Sequence, residues 1–273
     1  MTTLLPRTPV IDALAEEVSA LDDLLGSLMD EEWKAESPCP GWDVKANVAH
    51  IIGTESMLAG VDAPATEEDL SARDHVRNDI GGFNEVWVAA LAEEAPADVL
   101  ARFRDITARR LDELRTMDHE AWDAEGFTPA GKDSYGRFMR IRVFDCWMHE
   151  QDIRDATARP GHTWGPAVNL SLDEVASSLG YVVGKKAGAP DGSSVTIAVE
   201  GEVDRRIHVQ VDGRAAVVDE LDGPATATVR LDVHTLSRLI GGRVELAAVS
   251  NRITLEGDRD LAQAVVDNLA YTI

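Results

Sequence analysis

The sequence predicts an α class N-terminal domain, an up-and-down four-helix bundle over residues 1–187, followed by a small α+β domain over 188–273. Three observations predict it. Upstream, apolar residues recur every three or four positions between turns rich in proline and glycine. From Val195 onward the apolar period drops to two, the signature of strands. Between the two regimes stands Gly188-Ala-Pro-Asp-Gly192, a strong breaker suited to a domain boundary.

Val10, Leu14, Val18, Leu21, Leu25 and Leu28 form one stripe with acidic residues in the gaps, so the chain opens with an amphipathic helix. Pro9 suits its first turn. Ser37-Pro-Cys-Pro-Gly-Trp-Asp43 then makes a rigid turn, and Asp43 is a suitable N-cap for a second helix to about Ala59. Residues 61–80 are polar and acidic and read as a loop or lid. Phe83 to Met117 is helical in two pieces broken around Pro96, and 118–134 is irregular. Arg140 to Asp155 contains neither proline nor glycine and reads as the helix around which the bundle is organised. A further helix covers about Leu170 to Lys185.

In the C-terminal part, Val195–Val199, Ile207–Val211 and Ala225–Leu231 alternate as strands. Asp212-Gly213 is a hairpin signal before Arg214–Val218. Asp232 and Asp258 are placed to cap two short helices.

The 273 residues include 49 acidic and 26 basic ones, for a net charge of −23. That charge disfavours nonspecific binding to nucleic acid or anionic membrane. Two cysteines, Cys39 and Cys146, build no disulfide scaffold. Neither a signal-peptide core nor a run of ~18 apolar residues is present. A soluble, cytoplasmic protein is the expectation.

Chemistry concentrates in the organising helix. Asp145 and His149 are four apart, hence stacked on one face, with Asp152 one turn further on. A carboxylate and an imidazole so placed are two arms of a metal site, or equally a hydrogen-bonded buried pair. His50, on the second helix, is a third candidate, although a lone core histidine bonded to one neighbour is the commoner arrangement. Together the three offer two nitrogens and one oxygen, a set that suits zinc and leaves a fourth position open. Nickel, cobalt or iron accept the same donors. An open site of this kind activates a thiol or a water.

Ser-Pro-Cys-Pro-Gly-Trp-Asp-Val-Lys-Ala-Asn-Val-Ala-His, ending at His50, resembles the Pro-Gly-Trp…Ala-His motif of the mycothiol-dependent maleylpyruvate isomerase family. Asp145-Cys-Trp-Met-His-Glu-Gln-Asp-Ile-Arg resembles that family's second motif. The bundle looks like the wider DinB-like metalloprotein group, and the C-terminal part is similar to a sterol carrier protein-like domain. The resemblance implies zinc, or another divalent metal such as nickel, held by His50, Asp145 and His149, with mycothiol as cofactor. The family's isomerase has glutamate where this chain has the shorter Asp145. It also uses an arginine of the small domain, which Arg243 or Arg252 would match here.

Two functions of different classes follow. One is a thiol-dependent isomerase or S-transferase acting on a small electrophile such as maleylpyruvate. The other is a non-catalytic metal-binding, ligand-binding or regulatory protein; a hydrolase built on metal-activated water is a further alternative. Cys146 lies about 100° around the helix from Asp145, so the reactive sulfur is expected to come from outside.

Overall fold

The computed structural model describes residues 2–272; the terminal residues of the two predicted domains, 1 and 273, lie outside the described residues. Its helices and strands run α1 Arg7–Gly26, α2 Val44–Leu58, α3 Asp79–Leu91, α4 Pro96–Thr116, α5 His119–Asp123, β1 Glu125–Thr128, β2 Gly131–Ser134 and α6 Tyr135–Ala156. They continue with α7 Pro166–Tyr181, β3 Ser194–Glu200, β4 Arg205–Asp212, β5 Arg214–Val218, β6 Ala227–Asp232, α8 Val233–Ile240, α9 Leu246–Val249, β7 Thr254–Gly257 and α10 Arg259–Asp267. The chain divides into two compact units, Met1–His162 and Thr163–Ile273.

The first unit is a bundle of α1, α2, α4 and α6. In it α1 packs on α4 and α6, α2 packs on α4 and α6, and α3 lies along α2. The stripe of α1 is buried through Leu14, Leu21, Leu24 and Leu25, and the last three meet Val48, Ile51 and Ile52 of α2 and Phe103 of α4 in one core. Burial of this kind stabilises by roughly 1.5–3 kcal/mol per large aliphatic side chain. At Gly53 a Cβ atom would stand 2.4 Å from Trp87 Cγ, so the glycine is what lets α3 approach α2 so closely. The break around Pro96 is real: Pro96 opens α4 at its first position, where the missing N–H costs no hydrogen bond.

Residues 118–134 are more regular than the sequence predicts. They form α5 and the antiparallel β1–β2 hairpin, turning at Gly131 with φ +105°. Alternation gives no warning because Glu125, Gly126 and Phe127 are all exposed. Order comes instead from the N-terminal segment: Thr3 N–H donates to Asp133 at 2.6 Å, Ser134 Oγ–H to Thr3 O at 2.5 Å, and Trp122 Nε1–H to Leu5 O at 2.8 Å.

The second unit is a five-stranded sheet in the order β5-β4-β3-β6-β7. All neighbours are antiparallel except β3 and β6, which run parallel. The Asp212-Gly213 turn joins β4 to β5 as expected, with Gly213 at φ +64°. Asp232 and Asp258 cap α8 and α10 through backbone N–H groups of Thr235 and Leu261.

One boundary moves. The sequence assigns the helix over about 170–185 to the bundle and puts the break near residue 188; the compact units part at His162 and Thr163. The reason is packing. Helix α7 buries Val168, Leu172, Val175 and Leu179, its sheet partners are β4 and β5, and Gly180 lies so close that its Cβ would be 3.0 Å from Ala215 O. Helical spacing reveals a buried stripe but not which layer it faces.

Candidate metal centre

The turn before α2 sets the site. Ser37 Oγ–H donates to Trp42 O at 2.9 Å, and Asp43 accepts from Ala46 N–H at 2.8 Å as the N-cap. Gly41 sits at φ +81°, where a Cβ would stand 2.4 Å from His75 Nδ1, so only glycine fits between the turn and the 61–80 segment. From that segment His75 and Arg73 reach the buried Glu85 carboxylate, to which Trp42 Nε1–H also donates at 2.6 Å. Burial pushes the Glu85 carboxyl up, but the bonds from Trp42 and His75 outweigh it and hold the group below its usual range.

Trp42 is thereby pinned against both histidines, with ring centroids 5.2 Å from His50 and 5.5 Å from His149. The two imidazoles meet edge to face at 4.8 Å. His50 Nε2 lies 3.0 Å from Asp145 Oδ2, and His149 Nε2 lies 3.6 Å from Asp145 Oδ1. Helices α2 and α6 thus bring together the three residues singled out in the sequence, with donor atoms all within 4.8 Å of one another.

These residues fit a divalent ion. Tetrahedral bonds to nitrogen and oxygen put neighbouring donors about 3.3 Å apart, and the 3.0 and 3.6 Å spacings to Asp145 fall on either side of that value. Burial holds His50 below its usual pKa against the pull of Asp145, leaving the neutral imidazole that a metal requires. Its Nδ1 is buried without a hydrogen-bond partner. Burial pushes Asp145 up, but His50 and Arg142 more than offset this and hold the carboxylate well below its usual range. Both histidines are buried, whereas the Asp145 side chain is 30% exposed, so the cluster opens to solvent on that side.

His149 is oriented by its other nitrogen. Nδ1 lies 2.8 Å from Asn47 Oδ1 and 3.2 Å from Asp152 Oδ2, which makes Nδ1 an N–H donor and aims Nε2 at Asp145. Burial lowers the His149 pKa, but the bonds to Asp145 and Asp152 dominate and raise it. Asn47 is held in turn, donating from Nδ2 to Ser37 Oγ at 2.9 Å and to Asp43 O at 2.8 Å. The Pro-Gly-Trp turn is therefore wired to His149 through one amide. Asn47→Ala is expected to weaken metal binding about 10–100-fold with the fold intact, read by competition with a chromophoric chelator.

Behind Asp145 lies a charge network that spacing alone does not reveal. Arg142 Nη1–H donates to Asp145 Oδ2, Nε–H to Glu55 Oε1 at 2.8 Å, and Nη2–H to Cys146 Sγ at 3.4 Å. Arg110 contacts the other Glu55 oxygen at 3.2 Å and donates to Tyr135 Oη at 2.6 Å. The only hint in the sequence is Arg142 three residues before Asp145. Cys146 is buried and its thiol pushed well up by burial, so it supplies no thiolate. Cys39 lies within reach of His149 and Asp152.

The two arginines considered from the sequence lie in the second unit. Arg243 follows the Gly241-Gly242 end of α8, and its Nη1–H donates to Gly241 O at 2.8 Å. Arg252 pairs with Asp232 at 3.1 Å on the surface.

Fold and site together define a two-unit protein, with a candidate metal centre in a helical bundle and a sheet-bearing unit after it. The chain belongs to the mycothiol maleylpyruvate isomerase family: residues 14–154 match its N-terminal domain and residues 169–264 its C-terminal domain. It resembles the crystal structure of the mycothiol-dependent maleylpyruvate isomerase, with a TM-score of 0.57 and 18% identity over 92% of this chain and 93% of that one. A histidine-to-alanine mutant of that enzyme gives a TM-score of 0.58 at 17% identity, over the same shares. Two uncharacterized proteins of Mycobacterium tuberculosis, from strains CDC 1551 / Oshkosh and ATCC 25618 / H37Rv, are each 25% identical over 153 residues. That match spans 54% of this chain and 56% of theirs, about half the length of either. No helix among the described residues is long and apolar enough to cross a membrane.

Proposed function

We propose that this chain is a mycothiol-dependent metalloenzyme, an isomerase or S-transferase acting on a small electrophilic substrate such as maleylpyruvate. The observation that carries the reading is the convergence of His50, Asp145 and His149 on one point, closed on the histidine side and open beside Asp145. A divalent ion such as zinc, when bound, lowers the pKa of a thiol or water placed on it.

The chain's own residues do the rest. Asn47 and Asp152 hold the proton on His149 Nδ1, so Nε2 stays available as a donor. Arg142 anchors one oxygen of Asp145 and leaves Oδ1 towards His149, which steadies a side chain one methylene shorter than glutamate. Trp42 covers both imidazoles and keeps water from their faces. At the substrate, thiol addition across a conjugated double bond leaves a single bond that rotates, and elimination returns the thiol. In a transfer reaction the carbon–sulfur bond is kept and a leaving group departs instead. Arg243 is proposed as a substrate-binding residue on the sequence resemblance to the family alone.

The test is turnover of candidate electrophiles with mycothiol by zinc-loaded protein, with Arg243→Ala and a thiol-free control in parallel. Mycothiol-dependent turnover supports the reading. Arg243→Ala is expected to lower kcat/KM about 10-fold or more, as loss of a charged substrate contact does, with metal content unchanged. Turnover that persists without any thiol would instead make the protein a hydrolase.

A further inference from the structure

A second cluster of donors lies in the first unit and takes no part in the reading above. Glu17 of α1 is fully buried, and neither of its carboxylate oxygens has a hydrogen-bond partner. Opposite it, on α6, stands Glu150, also fully buried. Its Oε1 accepts from Arg154 Nε–H at 2.7 Å, and its Oε2 lies 2.5 Å from His162 Nδ1. The same Nδ1 is 3.6 Å from Glu17 Oε2. His162 Nε2 is buried without a hydrogen-bond partner, and Glu16 Oε1, on a one-third exposed side chain, stands 3.8 Å away.

The backbone is bent to deliver this imidazole. His162 has φ +51° in the left-handed region, uncommon for a non-glycine residue although histidine is among those that tolerate it. Three bonds hold it there: Trp147 Nε1–H donates to His162 O at 3.0 Å, and Gln151 Nε2–H reaches Gly161 O at 3.2 Å and His162 O at 3.3 Å. One arginine, already committed to one oxygen of Glu150, cannot balance two buried carboxylates. A buried carboxylate whose two oxygens meet no donor is costly in a protein interior, and a bound cation would satisfy it.

We infer that Glu17, Glu150 and His162 form a second divalent-metal site, with a ligand set separate from His50, Asp145 and His149. All three donors lie within 4.8 Å of one another. Two carboxylate oxygens and one imidazole nitrogen suit a first-row transition ion of the manganese, iron or zinc class, whereas an all-oxygen shell would be expected for calcium or magnesium. This inference does not rest on the proposed reaction.

The test uses the full chain carrying His50→Ala, so that the first cluster lacks a ligand. The protein is stripped with a chelator, loaded separately with zinc and manganese, desalted and assayed for bound metal, with near-UV circular dichroism confirming the fold. About one ion per chain is expected with at least one of the two metals, together with a rise in melting temperature. Adding Glu17→Gln, which keeps the shape and removes the charge repulsion, should leave a folded protein that holds none. Adding His162→Asn, whose residue tolerates the left-handed backbone, should do the same. A folded His50→Ala protein that retains neither metal overturns the site and leaves a shared proton as what balances the carboxylates. Undiminished metal in the Glu17→Gln and His162→Asn backgrounds overturns it as well.

Discussion

His149→Ala is expected to remove metal from the bundle centre, weakening affinity by more than the roughly 100-fold that loss of an orienting partner costs. Turnover with mycothiol should fall to background with it. His149 has no substitute: its Nε2 faces Asp145 at 3.6 Å while Nδ1 is committed to Asn47 and Asp152. The change also takes a partner from the buried Asp152 and from Asn47, so circular dichroism must show the variant folded before its metal content is compared. Asp145→Asn should follow the same direction, because the charge goes while the shape stays. Asp145→Glu should bind metal as well as wild type or better. Metal content per chain, measured on folded protein, decides between these outcomes, and equal affinity in Asp145→Asn would remove that carboxylate from the ligand set.

Glu55→Ala is expected to be the most destabilising single change in the bundle. The Glu55 carboxylate lies between Arg142 at 2.8 Å and Arg110 at 3.2 Å, with all three side chains buried. Its removal leaves two guanidinium groups short of their shared counterion in a low-dielectric interior. Breaking a buried pair in this way costs about 3–5 kcal/mol. For a protein of this size that is a fall of roughly 6–20 °C in melting temperature, read by thermal denaturation beside wild type. Arg142 also donates to Asp145, so the change should reach the candidate centre and lower metal affinity as a secondary effect. Arg110 keeps two other partners, the Glu113 carboxylate, which accepts from Nη1–H at 2.7 Å, and Tyr135 Oη. A loss below about 1 kcal/mol, the scale of an exposed ion pair, would mean that these two alone satisfy Arg110.

Much of the fold was legible because its signals are local. Caps at Asp43, Asp232 and Asp258, the Pro96 break and the Asp212-Gly213 hairpin each depend on residues within a few positions of one another. The candidate ligands were legible for a similar reason. Four-residue spacing puts Asp145 and His149 on one face whatever else the chain does, and the family motif marks His50.

What local signals do not carry is the identity of the partner across a layer. Sequence by itself determined the helices of the bundle, the longer strands of the second unit and a set of candidate metal ligands. Tertiary structure alone decided that α7 packs on the sheet of the second unit, that β3 and β6 run parallel, and that Asn47 and Asp152 orient His149. It also decided that Glu17, far from Glu150 along the chain, shares a buried space with it and with His162. The physical reason is range. A turn or a helical face is set by bonds between near neighbours, whereas a buried charge takes its pKa, its partners and its chemistry from whatever the folded chain brings within a few ångströms.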